Sequence, residues 1–508
     1  MTLREKTVDA LKWSYLATGT NMVTQLLFAA VLARLLSKEQ FGLYAIGLSF
    51  YLLGQFVSDF GVGQALVQKR DLTNEDIRAG FTSSLIMGLS TSALVWFLAP
   101  LAANLLAHDN ANLLSANDLV PLIRSFALLY VLTSMTVVST SLLRREMRFK
   151  PLMLTEICSY IVGQGIVGLG AAYLGYGAYS LIFSTGVQYL IQLVSSYYFG
   201  RHPFGLTFRK ESFQALYSFG GRASLINFLE YLGNTLDTWL IGRFYGAAVL
   251  GVYNRGFQTV YAPFNNLARS MIRVLAPSFS SVQEDLFKLR YAYLSGMKAM
   301  SIVLFCVAAG VFVSANEIVL VLLGDKFASA IPLVQILAIF IPFPVLSNLS
   351  GVLAEAAARL NAKIAIQSIY LVVLAICFYS VYWLGWGYYA FAGVLVVAGA
   401  LRSAAYAGLA SRILGGVGRE IAKAYGVGVL CALPLGGVLF AAVYLLRQTS
   451  LNHFALFGIE LVLGGLLLLS VILFGPANEV QARVRPVARK LLSRAGIELS
   501  SLKSGGQA

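Results

Sequence analysis

Charge is scarce in this sequence: Asp, Glu, Lys and Arg make up 12% of its 508 residues, while 58% are hydrophobic. A soluble domain carries roughly 25% charged residues, because its surface must face water. The shortfall excludes a soluble globular protein. Histidine is limited to His108, His202 and His453, too scattered for any metal-ligand spacing. The four cysteines, Cys158, Cys306, Cys377 and Cys431, all fall in apolar segments, with neither a disulfide framework nor a C-x-x-C pair among them. No G-K-[ST] phosphate loop occurs, which removes ATP hydrolysis by that route, and no cofactor is expected. Proline is sparse (12 residues) and glycine plentiful (47), a balance that lets membrane helices approach closely.

What fills the chain is a succession of apolar runs near 20 residues long, the length that about 30 Å of hydrocarbon demands of a helix. The expected fold is an all-α integral membrane protein of about 14 transmembrane helices. The spans are read at 13–36, 41–67, 79–106, 119–143, 151–174, 177–199, 213–242, 249–275, 291–315, 331–355, 364–384, 387–412, 422–446 and 454–474. Arg4, Lys6 and Lys12 precede the first run as in a signal peptide. That run is too long for a signal sequence and contains Asn21 and Gln25, so it reads as a first membrane helix.

The net charge of +15 invites a nucleic-acid reading, but the excess sits in short loops between apolar runs. Placing the N-terminus in the cytoplasm puts Arg144, Arg145, Arg148, Lys150, Arg201, Arg209, Arg359 and Lys363 on one side, with the basic tail after Gly475. Few basic residues fall opposite, among them Arg34, Lys38, Arg243, Lys326 and Arg447. Positive charge marks the cytoplasmic side, so both termini are expected there, in a bacterial inner membrane and without nucleic acid as partner.

An internal repeat organises the chain. Arg34, Gly42 and Tyr44 return as Arg243, Gly251 and Tyr253, and the run Leu174-Gly175-Tyr176-Gly177-Ala178-Tyr179 returns as Leu384-Gly385-Trp386-Gly387-Tyr388-Tyr389. Two motifs at nearly one offset imply two pseudo-symmetric, parallel six-helix lobes, residues 1–211 and 212–414. Two additional helices (415–474) and a basic cytoplasmic tail (475–508) follow.

Ionisable side chains in hydrocarbon cost roughly 2.5–3.5 kcal/mol each, so they usually face a cavity or a partner. Expected helix seven carries Arg222, Glu230 and Asp237 on one face, with Asn227 and Asn234. Expected helix eight aligns Arg255, Gln258, Asn266, Arg269 and Arg273 at helical spacing. Arginine suits phosphate, since its planar fork donates paired hydrogen bonds to phosphate oxygens. Two readings stay open: these charges fasten the bundle by pairing, or they line a hydrated substrate cavity. Arg34 and Arg243 sit at external helix ends, where gating and helix-end roles are both available. The Gly163-x-Gly165-x-x-Gly168 pattern lies inside a membrane helix with no preceding strand, so it signals close packing rather than a dinucleotide site.

Several segments carry a family resemblance: the run from Val31 to Tyr44, Ser58 to Gln68, Arg144-Arg145-Glu146-Met147-Arg148-Phe149-Lys150, and Asp237 to Tyr253. Together they resemble the Wzx-type polysaccharide flippases of the multidrug/oligosaccharidyl-lipid/polysaccharide superfamily. The resemblance implies two six-helix lobes around a cavity and no enzymatic activity. It implies movement of an undecaprenyl-pyrophosphate-linked oligosaccharide from the cytoplasmic to the external leaflet, for exopolysaccharide, capsule or O-antigen synthesis. On that reading Arg222, Arg255 and Arg269, with Asn234, Gln258 and Asn266, contact the substrate. Glu230 and Asp237 act as ion-coupling or charge partners, and a polymerase and chain-length regulator are expected partners. A lipid II flippase would share the basic interior, whereas a drug or cation exporter should expose acidic faces. A membrane polysaccharide polymerase should show large external loops or acidic metal motifs, and the sequence has neither.

Overall fold

The computed structural model describes residues 3–59, 61–69, 71–107, 115–203, 205–209, 221–281, 285–449 and 451–474. Among them no strand occurs. In chain order the helices are α1 (Leu3–Leu35), α2 (Lys38–Asp59), α3 (Val62–Gln68), α4 (Asn74–Leu106), α5 (Ala116–Ala127), α6 (Leu129–Arg145), α7 (Phe149–Tyr160), α8 (Leu169–Tyr173) and α9 (Ala178–Phe199). There follow α10 (Gly221–Ser281), α11 (Leu286–Val313), α12 (Ala315–Leu322), α13 (Ile331–Phe340), α14 (Pro342–Ala356), α15 (Leu360–Trp383), α16 (Tyr389–Ile413), α17 (Gly418–Arg447) and α18 (His453–Phe474). A π-helical segment, Ile161–Gly168, joins α7 to α8.

Among the described residues ten helical segments are long and apolar enough to cross a membrane. The other four expected spans, 13–36, 177–199, 213–242 and 249–275, are helical where described but more polar or shorter in their apolar part. Expected helices seven and eight are the two arms of α10, which breaks at Gly246 (φ 84°, ψ 177°), a conformation that only glycine adopts without strain. The repeat motif explains itself in the same way. Gly175 and Gly177 in the first copy, and Gly385 and Gly387 in the second, all have positive φ, so both copies need glycine to make the same turn.

One compact unit comprises residues 1–270, 318–337 and 360–398. Its interior includes a cluster of Tyr51, Leu122, Phe126, Leu129, Tyr130, Ala178 and Ile182, in which the Tyr130 hydroxyl donates to the Tyr51 carbonyl at 2.7 Å. The other unit comprises residues 271–317, 338–359 and 399–508. There α11 packs on α17, and a Cβ at Gly428 would lie 2.8 Å from the Ser301 carbonyl oxygen, so the helices meet at backbone distance.

Loop ends are clasped by charge. Thr73 and Asp76 form a capping box at the start of α4, and Asp76 also pairs with Lys69 at 2.7 Å. Arg145 donates to the Leu66 carbonyl at 3.1 Å, and Arg148 donates to the Phe199 carbonyl at 2.9 Å, so each satisfies the bare C-terminal end of another helix. His202 is buried between Phe81 and Tyr197, and that burial holds its imidazole below the ordinary histidine range.

Candidate functional site

The polar spans assemble around two cavities within the first unit. The smaller, about 310 Å³, is lined by Gln25 of α1, Tyr44 of α2, Gln164 of the π-helical segment, and Arg255, Gln258 and Asn266 of the second arm of α10. Arg255 stacks on Phe41, its guanidinium carbon 4.2 Å from the ring centroid. Its Nε is enclosed and makes no hydrogen bond. No acidic side chain is among the described lining residues. A guanidinium in the wall of such a cavity supplies positive charge with no carboxylate beside it among the described lining residues.

The helical register predicted from sequence therefore brings Arg255, Gln258 and Asn266 to one cavity. The other expected contacts divide. Asn234 lines neither cavity. Arg222 and Arg269, with Arg273, lie on α10, but their side chains fall outside the described residues. Glu230 meets Lys363 at 3.1 Å. Asp237 is buried and accepts hydrogen bonds from the Tyr253 hydroxyl (2.6 Å) and the Thr238 backbone N–H (2.7 Å). Asp237 is thus tied to the tyrosine of the second repeat copy.

Arg34 and Arg243, the repeated arginines, make corresponding contacts. Arg34 Nη2 donates to the Val321 carbonyl at 2.9 Å, beside the end of α12, and Arg243 donates to the Leu105 carbonyl at the end of α4. Each places a cation on the negative end of a helix. Lys326 closes over the same corner by donating to the Arg34 carbonyl at 3.2 Å and to the Leu36 carbonyl.

The larger cavity, about 540 Å³, was not anticipated from sequence. It is lined by hydroxyls on α6 (Thr133, Thr136, Thr140, Ser141), by the amides Gln55, Gln64, Gln192 and Asn227, and by the aromatics Phe56, Tyr189 and Tyr231. Arg144 is its cation, and no carboxylate is among the described lining residues. Thr136 and Thr140 donate their hydroxyl protons to the Leu132 and Thr136 carbonyls at 2.9 and 3.0 Å. Their oxygens are left as acceptors toward the cavity. The signal was present: Thr133, Thr136 and Thr140 fall at helical spacing on one face of α6.

The π-helical segment carries the expected glycine packing. A Cβ on Gly163 would sit 2.7 Å from the Ser184 carbonyl oxygen, and one on Gly165 would sit 2.7 Å from the Phe28 ring. Gln164, between them, faces the Arg255 cavity.

Comparison with known proteins agrees with this architecture. The chain is 28% identical to the lipopolysaccharide biosynthesis protein WzxC of Escherichia coli over 363 residues, covering 71% of this chain and 72% of that protein. It is 27% identical to the succinoglycan biosynthesis transport protein ExoT of Rhizobium meliloti, covering 66% and 67%. Its fold is similar to that of the lipid II flippase MurJ in an inward closed conformation, with a TM-score of 0.70 at 12% identity over 92% of this chain and 99% of that one. An inward-facing multidrug resistance transporter of the MATE family superposes with a TM-score of 0.59 at 14% identity, covering 85% and 96%. The chain is a multi-pass membrane protein, and its matched relatives and neighbours are named as polysaccharide biosynthesis, transport and flippase proteins. The polysaccharide biosynthesis protein family model matches residues 31–332, more than half of the sequence, and the chain belongs to that family.

Proposed function

We propose that this protein is a flippase that carries undecaprenyl-pyrophosphate-linked oligosaccharide repeat units from the cytoplasmic to the external leaflet of a bacterial inner membrane. The observation that carries the reading is Arg255: a guanidinium in the wall of a cavity without acidic described lining, in a chain of the polysaccharide biosynthesis family. A pyrophosphate needs such a donor, and a cationic drug would be repelled by it. Arg222 and Arg269 of α10, whose side chains fall outside the described residues, are proposed as further substrate contacts on the strength of the sequence alone. The larger cavity suits the sugar, because its hydroxyl, amide and aromatic surfaces match the hydrogen-bonding edges and apolar faces of a pyranose. Arg144 stands there beside the glycan.

Alternating access between two like-oriented lobes, 1–211 and 212–414, moves the load, with both termini in the cytoplasm. Arg34 and Arg243 act as external clasps that hold the outer side shut. Glu230 and Asp237 serve as charge partners, and a polymerase of the same pathway receives the product.

The test is the fate of the intermediate. In cells lacking the native protein and supplied with Arg255→Ala, lipid-linked single repeat units should accumulate on the cytoplasmic leaflet. Units that reach the outer leaflet but stay unpolymerised would refute the flippase reading.

A further inference from the structure

Two carboxylates and one guanidinium meet inside the second unit, on helices that neither cavity uses. Glu317 of α12 is fully buried and receives the fork of Arg447, from the end of α17: Nε to Oε1 at 2.9 Å and Nη2 to Oε2 at 2.7 Å. Asn316 Nδ2 donates to Oε1 as well, at 3.0 Å. Both oxygens of Glu317 are therefore occupied. Glu460 of α18, 2% exposed, lies beside Glu317 and Ser314. Neither of its carboxylate oxygens has a hydrogen-bond partner.

Charge balance makes this arrangement incomplete. With both acids ionised, the cluster would hold two negative charges against one positive, and the unpaired one would be enclosed. Burying an uncompensated carboxylate is costly enough that such a group takes up a proton or finds a counter-ion. Two neighbouring carboxylates cannot both ionise cheaply, and Arg447 is already committed to Glu317. The helices packed against α18 are α17 and α11, and the charged groups that act on Glu460 from its surroundings are Glu317 and Arg447. Arg290 and Glu420, on those two helices, are paired with one another at 3.1 Å. His453 on α18 itself is exposed. A metal ion would need roughly six or more oxygens around it, more than these two carboxylates supply. One proton balances the cluster with no further ligand.

We propose that Glu460 and Glu317 share one proton, which makes the Arg447 triad a proton-binding site that ties the two additional C-terminal helices to α12. Protonated Glu460 donates to Glu317 while Arg447 holds that acid from the other side. When the proton leaves, two carboxylates compete for one guanidinium, and Arg447 must divide between α12 and α18. Proton occupancy then sets how tightly α18 is held. On the topology proposed above this end faces the exterior. The site goes beyond the flippase reading, and its test requires no transport.

Dicyclohexylcarbodiimide attacks protonated carboxyls in apolar surroundings, and mass spectrometry of the purified full-length protein locates the adduct. Near neutral pH, Glu460 should be labelled, whereas Glu230, paired with Lys363, should not. Labelling should fall as pH rises. Glu317→Gln frees Arg447 to pair with an ionised Glu460 and should cut labelling about tenfold, equivalent to roughly one pKa unit. Absence of the adduct in the wild type near neutral pH would overturn the proposal. So would equal labelling in Glu317→Gln, which would assign the proton to burial alone, or protection by sodium at constant pH, which would replace the proton by a metal ion. If Glu317→Gln fails to fold, the wild-type pH profile and the sodium arm still decide.

Discussion

A methyl group on the α-carbon of Gly251 would collide with the backbone carbonyl oxygen of Lys38, and one on Gly42 would collide with the carbonyl oxygen of Ala247. The two copies of the R-x7-G-x-Y motif are thus packed backbone to backbone, each glycine making room for the segment that begins the other copy. Close approach of this kind is what small residues supply between membrane helices. Gly42→Ala and Gly251→Ala should each destabilise the protein by about 1–3 kcal/mol, the usual cost of overpacking. Thermal unfolding in detergent measures it, with Gly393→Ala, where a Cβ meets nothing within 4 Å, as the tolerated control.

Arg255 offers charge, a planar fork and a stacking face on Phe41. Arg255→Ala should reduce flipping at least tenfold, because a charge-assisted hydrogen bond is worth about 1.5–3 kcal/mol. Arg255→Lys keeps only the charge and should fall between. Assays of lipid-linked units on the two leaflets measure both.

The larger cavity makes a separate claim about sugar. Thr136→Val and Thr140→Val remove a cavity-facing acceptor at nearly constant shape, and each should slow flipping by up to about tenfold, the worth of about one hydrogen bond. Thr91→Val should leave the rate unchanged, since Thr91 is buried, unpartnered and lines neither cavity.

The external clasps predict a change of access. Arg34→Ala removes the donor to Val321 and should increase labelling of a cysteine at position 258 by membrane-impermeant reagents added outside. A variant with Arg243 also replaced should label faster still. The rates are compared in a background without the four native cysteines.

Arg447→Ala strands Glu317 without its fork. The loss should be about 2–3 kcal/mol, below the roughly 3–5 for breaking a fully enclosed pair, because Arg447 is 39% exposed. The unfolding temperature in detergent reports it.

The sequence carried much of this account, for reasons of period and composition. Apolar length announced the membrane helices, and Gly175, Gly177, Gly385 and Gly387 announced one turn made twice. Helical spacing brought Arg255, Gln258 and Asn266 together, because residues aligned on a single helix share a face whatever surrounds it. Contacts between helices were not legible. Nothing in the spacing of Asp237 reveals that its partner is Tyr253, or pairs Glu230 with Lys363. No spacing joins Glu460 to Glu317 and Arg447, because Glu317 and Arg447 are distant from it in sequence. The hydroxyl stripe on α6 was overlooked because threonine in a membrane helix ordinarily bonds back to its own backbone. The four spans of weaker hydropathy were the better guide: α1, α9 and both arms of α10 contribute polar residues to the cavities.

The most direct test of the account is a single cysteine at position 258, beside Arg255, probed with a water-soluble maleimide in reconstituted vesicles. The cavity reading predicts that the residue is labelled and that undecaprenyl pyrophosphate protects it, with protection lost in Arg255→Ala. Labelling that undecaprenyl pyrophosphate leaves unchanged, or a residue that water-soluble reagents reach from neither side, would contradict it.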